Sequence, residues 1–338
     1  MSHEQPALFD LAIIGAGFAG MYALKRALDS DRTAIVFERG DDVGGTWYWN
    51  RYPGASSDSE SWVYSFSFDD ELEQDWTWSK RFPSQPEILS YLQHVADRFG
   101  LRKAFSFDTR VSAATYDEGG NRWVVETEKG EVVTCTYLIT AVGCLSAAQL
   151  PDIPGREDFS GHWYHTGEWP HEPVDFTGKR IGVIGTGSSG IQAIPLIAAQ
   201  ADHLTVFQRT PNFSVPARNH ELSPERVKAL KANIKDIREF CRWATIGQPY
   251  DFKTEEVLNV SAEEREAQFE ADWQKGGFEW MFGSYADLPF VREANDHAAE
   301  FVRRKIRETV TDPDIAEKLI PDRKSTRLNS SHQIISYA

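Results

Sequence analysis

The sequence predicts an α/β fold in which two β-α-β units are followed by a helical stretch. Three observations predict it. The pattern Gly-x-Gly-x-x-Gly occurs twice, at Gly15, Gly17 and Gly20 and at Gly185, Gly187 and Gly190. Each copy follows a short apolar run, opens a helix-like run and precedes a second apolar run. From Leu222 to Pro321 the chain is instead rich in Glu, Lys, Arg and Ala and poor in strand-like runs.

The elements follow in order. Asp10–Ile14 reads as a strand, Met21–Leu28 as a helix and Ala34–Phe37 as the second strand. About 170 residues later the same order recurs in Lys179–Ile184, Ile191–Ala201 and Leu204–Phe207. Between the units, Ser84-Gln-Pro-Glu87 resembles a capping box opening a helix. Ile88, Leu89, Tyr91, Leu92, Val95, Ala96 and Phe99 give that helix a broad apolar face, read as core. Arg122–Thr127 and Glu131–Thr134 flank Lys129-Gly130 and read as a hairpin. Tyr137–Val142 is a short apolar run of the fully buried strand type. Later, Ser223-Pro224-Glu225 starts a helix with Pro in its first turn, and Phe301, Val302, Ile306 and Val310 stripe a charged one.

Composition excludes several classes. Of 338 residues, 41% are apolar and 26% charged, as in ordinary globular chains. The net charge of −15 argues against nucleic-acid and anionic-membrane partners. Three cysteines (Cys135, Cys144, Cys241) form neither a disulfide framework nor a metal cluster, so no metal is expected and a cytoplasmic setting fits. The apolar stretch Leu11–Ala23 is broken by glycines and reads as neither a signal peptide nor a membrane span. Eleven aromatics lie between Trp47 and Phe82. The acids among them repel phosphate, which favours a cofactor-pocket wall and core over a nucleic-acid platform.

The glycines have a specific chemistry. The first permits the tight turn, the second lets backbone approach a pyrophosphate, and the third lets helix and strand pack closely. The phosphates then sit at the helix N-terminus. The end of each second strand separates the two Rossmann-like units. In the first it is Glu38, a carboxylate that accepts from ribose hydroxyls and repels a 2′-phosphate. In the second it is Arg209, a guanidinium suited to the 2′-phosphate of NADPH. One acidic and one basic site imply FAD and NADPH on one chain. With no vicinal cysteine pair, the flavin reduces something other than a disulfide, or activates oxygen.

Two further segments carry a family resemblance. Phe159, Gly161, His165, Thr166, Trp169 and Pro170 spell FxGxxxHTxxWP. Gly44 through Asp58 spell GGxWxxxxYPGxxxD. With both glycine motifs, they resemble the type I Baeyer–Villiger flavin monooxygenases over roughly residues 8–321. Gln208–Arg218 is most similar to the phenylacetone monooxygenase branch. The resemblance implies that NADPH reduces FAD, that O2 adds to give a C4a-peroxyflavin, and that this species inserts oxygen into a ketone, giving an ester or lactone. It implies that Asp58 orients a catalytic arginine beside the flavin. It implies flavin contacts from Thr46, Trp47, Tyr48, Trp49, Asp58, Tyr64 and Val111. NADP contacts are implied for Gly185, Thr186, Gly187, Ser188, Ser189, Gly190, Ile191, Arg209 and Thr210. His165 reads as a conformational residue rather than a catalytic base. Two alternatives remain: an N-hydroxylating or sulfoxidising flavin monooxygenase, and a catalytically dead dinucleotide-binding fragment.

Beyond Pro321 the pattern stops. Asp322–Ala338 resembles the in-frame translation of a sequencing-library adapter, with Gln333-Ile334 as its index. On that reading the natural frame continues past Pro321, the fold is C-terminally truncated and the chain by itself is inactive. The expected organisation is an FAD-binding domain over 1–145, a linker with the fingerprint over 146–176, the first part of an NADP-binding domain over 177–221, a helical subdomain over 222–321 and the artefactual tail over 322–338.

Overall fold

A computed structural model describes residues 7–209, 211–321 and 334–335. It divides into two compact units, 1–51 with 85–173 and 52–84 with 174–338.

In the first unit, β1 (Ala7–Ile14) leads through the glycine turn into α1 (Phe18–Leu28) and then β2 (Ala34–Phe37). The short helix α2 (Thr46–Trp49) follows. The chain then enters the second unit, where α3 spans Asp70–Asp75. It returns with α4 (Gln85–Arg98), β3 (Phe105–Ser106), β4 (Val111–Asp117), β5 (Arg122–Thr127) and β6 (Val132–Thr140). The six strands run in the order β3-β2-β1-β6-β5-β4. The first four pair in parallel, with Ile13 opposite Val36 on one side and Ile139 on the other. β4 and β5 form an antiparallel extension.

The hairpin forms as the sequence predicts, with one difference. The runs expected as Glu131–Thr134 and Tyr137–Val142 are one strand, β6, antiparallel to β5 and parallel to β1. The run is also not fully buried: Tyr137 is 62% exposed and Val142 50%. An apolar run marks a strand, but cannot say whether both of its faces are covered. Ala12, Ile13, Val36, Phe37, Val125, Val133 and Cys135 fill the sheet core. On α4, the predicted stripe from Ile88 to Ala96 is buried.

In the second unit, β7 (Arg180–Ile184), α5 (Ser188–Ala198) and β8 (His203–Phe207) repeat the β-α-β pattern, and β7 and β8 pair in parallel as a two-stranded sheet. Its covering is thin: Ile184 is 71% exposed and Phe207 56%. β9 (Val215–Pro216) pairs in parallel with β10 (Ile334–Ile335), the described part of the tail. Between them lie α6 (Pro224–Ala232), α7 (Ile234–Trp243), α8 (Ala262–Lys275), α9 (Glu279–Phe282), α10 (Arg292–Thr309) and α11 (Pro313–Leu319). Ser223 caps α6, and a Ser261–Glu264 capping box opens α8. Phe269, Trp273, Trp280, Phe301 and Val302 lie in the core of this helical region, with Ile306 packed against it.

Residues 52–84 join the second unit through polar contacts that periodicity does not reveal. Arg238 of α7 hydrogen-bonds the Val63 and Ser65 carbonyls and pairs with Glu73. Among the described residues no helix is long and apolar enough to cross a membrane.

Candidate functional site

The first glycine turn is built as its chemistry requires. Gly15 has φ +105°, and a Cβ there would lie 2.5 Å from the Ala141 carbonyl oxygen. A Cβ on Gly20 would fall 1.8 Å from the Gly15 carbonyl, so helix and strand pack with no room for a side chain. Gly17 is the N-cap of α1, and no side chain caps the helix. Gly17 offers no side-chain oxygen to the first-turn N–H groups, which suits that turn to an anion. Gly45, which begins α2, brings its backbone against Gly17.

Glu38 is buried at the end of β2. Its carboxylate accepts from the Ala16 N–H at 2.8 Å and from the Gly40 N–H at 2.9 Å. These bonds lock it to the glycine turn. Each oxygen keeps a further lone pair, so the group still fits ribose hydroxyls. The residues present therefore fit an FAD dinucleotide.

Beside the turn, Trp47 and Tyr48 are buried, while Thr46 is exposed. Gln85 donates to the Trp47 carbonyl, and the Tyr48 hydroxyl donates to Asp41 at 2.7 Å. The Arg39 guanidinium stacks 4.1 Å over the Trp49 ring. His171, just past the fingerprint, meets Tyr48 edge-on at 4.9 Å. Burial and the Arg51 charge push the His171 imidazole below its usual range. Val111 sits at the start of β4 and packs against the sheet core.

In the fingerprint, His165 is the N-cap of a short 3-10 turn over Thr166–Glu168, and its Nδ1 accepts the Gly167 N–H at 3.1 Å. That bond occupies one ring nitrogen as an acceptor. Tyr164 and Trp169 pair at 5.4 Å. Phe159 is 61% exposed, and Gly161 is exposed as well.

In the second unit, Gly187 is the N-cap of α5, again with no side-chain cap. A Cβ on Gly185 or Gly187 would meet nothing within 4 Å. The turn is open where a pyrophosphate needs room, and Arg209 lies exposed beyond β8. This donor set fits NADPH. Thr210 lies outside the described residues.

The same helix holds Asp58. Ser188 Oγ donates to Asp58 Oδ2 at 3.0 Å, and Gln192 Nε2 donates to Oδ1 at 3.2 Å. Gln192 in turn accepts from the Tyr52 hydroxyl at 2.8 Å and donates to Ser56. Burial pushes the Asp58 carboxyl up to about 6, against the lowering pull of Ser188 and Gln192. The sequence singles out Asp58 and Ser188 and carries Tyr52 in the second signature, but gives Gln192 no role. The signal for Gln192 was present: four residues after Ser188 it shares a helix face. Tyr64 lies in the second unit, half-buried.

Residues 9–220 match the model of one protein family, flavin-binding monooxygenase-like. The chain belongs to the flavin-binding monooxygenase-like family. Among its relatives is a Baeyer-Villiger monooxygenase of Pseudooceanicola batsensis, 45% identical over 315 residues, which cover 93% of this chain and 58% of the relative. A phenazine N-monooxygenase of Lysobacter antibioticus is 44% identical, with the same coverage. Among solved structures, cyclohexanone monooxygenase from Rhodococcus sp. Phi1 bound to NADP+ matches with a TM-score of 0.92 and 42% identity, covering 98% of this chain and 65% of that one. The chain thus spans under two thirds of the length of these flavin-binding monooxygenase relatives.

Proposed function

We propose that this chain supplies the dinucleotide-binding portions of an FAD- and NADPH-dependent monooxygenase that inserts one oxygen of O2 into a ketone, giving an ester or lactone. The carrying observation is the second signature's carboxylate, Asp58, held by Ser188 and Gln192 of α5. A Baeyer–Villiger monooxygenase and a cyclohexanone monooxygenase among the similar proteins support the ketone reading.

The roles follow from the chemistry of each group. The uncapped N-terminus of α1 and Glu38 hold the FAD pyrophosphate and ribose, and Thr46–Trp49 wall the flavin. The open turn Gly185–Ile191 takes the NADPH pyrophosphate and Arg209 the 2′-phosphate, with Thr210 in the same NADP-contacting segment. Bound FAD supplies the hydride acceptor and the centre at which oxygen is activated. Asp58 is the catalytic carboxylate, fixing a cationic group beside the flavin. His165 shapes the fingerprint turn and moves no proton. The partners are the ketone and O2, with neither nucleic acid nor membrane, and the setting is cytoplasmic.

The test is product analysis with cyclohexanone and with phenazine, using the chain extended by its downstream genomic sequence. A lactone is the expected product; an N-oxide alone would replace the ketone reading with an N-oxygenating one. The 338-residue chain by itself is expected to bind both dinucleotides without ketone-dependent NADPH consumption.

A further inference from the structure

We propose that Tyr52 is a positioning residue: its hydroxyl orients the Gln192 amide, and the amide so held gives its N–H to the Asp58 carboxylate. Tyr52 thus acts on Asp58 through Gln192. The proposal deepens the role given to Asp58 above and rests on it. Its test reads the carboxyl without turnover, so either can fail alone.

Tyr52, Ser56 and Asp58 lie on one loop of the second unit, and that loop is held against α5. Gly54, in its middle, has φ +81°, and a Cβ there would lie 2.5 Å from the Gln192 carbonyl oxygen. Only glycine permits so close an approach in that conformation. Gln192 Nε2 then lies 3.2 Å from each of three oxygens: the Ser56 carbonyl, Ser56 Oγ and Asp58 Oδ1. At the other end of the amide, Oε1 accepts from the Tyr52 hydroxyl at 2.8 Å.

A carboxamide has nearly the same shape when turned end for end, so its partners choose its orientation. At the Nε2 end, the Ser56 carbonyl and the Asp58 carboxylate can only accept. At the Oε1 end, a hydroxyl could donate or accept. Burial pushes the Tyr52 hydroxyl up, and a hydrogen bond from Ser189 pulls it down. A bond that lowers a phenol is one donated to it, so the Tyr52 proton is left for Gln192. The donors therefore run one way, from Ser189 to Tyr52, to Gln192 and to Asp58.

Tyr52 is buried, and its ring fixes the hydroxyl. Gln192 is half-buried and turns about several single bonds. Without the hydroxyl, Oε1 loses its partner, and the amide swings to find another, taking Nε2 from Asp58. The hydrogen bonds acting on the Asp58 carboxyl come from Ser188 and Gln192, and no charged group acts with them. Loosening one of the two should therefore show in the titration of the carboxyl.

Carbon-13 NMR of the Asp58 carboxyl in the full chain tests this, with Asp58→Asn identifying the signal. The midpoint should lie at about 6. Tyr52→Phe, which keeps the ring, should raise it by about half a pH unit, and Gln192→Leu should raise it further. The double variant should match Gln192→Leu alone, because Tyr52 then has nothing to act through. A Tyr52→Phe shift of equal size with and without Gln192→Leu means that the hydroxyl acts on Asp58 by its polarity, and overturns the proposal. So does a midpoint unmoved by Tyr52→Phe. The wild type gives a reading that needs no variant to fold: the nitrogen-15 signal of the Gln192 side-chain amide should titrate with the Asp58 midpoint, and a signal indifferent to pH overturns the proposal. In the genomically extended chain, full lactone formation by Asp58→Asn would instead remove the role given to Asp58 and leave these readings as they are.

Discussion

Ser188 donates its hydroxyl proton to Asp58 across 3.0 Å, joining the last residue of one sequence signature to the first helical residue after the second glycine turn. The two are 130 positions apart in sequence. The first residue of α5 thus steadies the carboxylate that closes the second signature.

Asp58 makes stability depend on pH in a stated direction. Its carboxyl titrates near 6 in the fold against an ordinary value of 3.8. The native state therefore holds a proton that the unfolded chain has lost between these values, and stability falls as pH rises from about 4 to about 6. Asp58→Asn removes that charge. Urea melts should show the variant gaining on the wild type as pH rises through this window, reaching about 3 kcal/mol by pH 7, with no gain at pH 4. A gap independent of pH would contradict the assignment.

Gln192→Leu removes one donor to Asp58 and the partner of the Tyr52 hydroxyl. The Asp58 midpoint should move above about 6, because a bond that favours the charged form is lost. Carbon-13 NMR titration of the carboxyl reads this directly. The lost Tyr52 bond should cost about 1 kcal/mol in melting experiments.

The glycines of the two turns should respond differently. Gly20→Ala puts a Cβ 1.8 Å from a backbone oxygen and should destabilise by more than about 3 kcal/mol. Gly187→Ala meets nothing within 4 Å, so its melting temperature should match wild type. NADP+ affinity should nevertheless fall about tenfold, since the methyl occupies the pyrophosphate's approach. Equal NADP+ affinity in Gly187→Ala would remove that turn from the cofactor site.

Arg209→Gln should cut NADPH affinity by about 10–100-fold and leave NADH binding nearly unchanged, because only the 2′-phosphate is lost as a partner. Titration of both nucleotides against one protein preparation checks it. A parallel loss for both would place Arg209 elsewhere in the cofactor's surroundings.

Local geometry was legible in the sequence wherever one backbone rule governs it. The Ala34–Phe37 strand, the Ser223 cap and the glycine turns follow from periodicity, capping chemistry and the absence of a Cβ. What the sequence left open depends on long-range partners. The burial of Tyr137 depends on what covers the sheet. The membership of 52–84 depends on Arg238, more than 150 positions away. The Tyr52–Gln192–Asp58 chain joins side chains that only the fold brings together.

The thin covering of β7 and β8 matters outside any catalytic question. Among the described residues the pair β7–β8 has no third strand, and with Ile184 and Phe207 exposed it offers sheet edges and apolar side chains to any neighbouring chain. In the test tube this is a solubility property: the protein should self-associate as its concentration rises, and a Lys at position 184 should keep it dispersed.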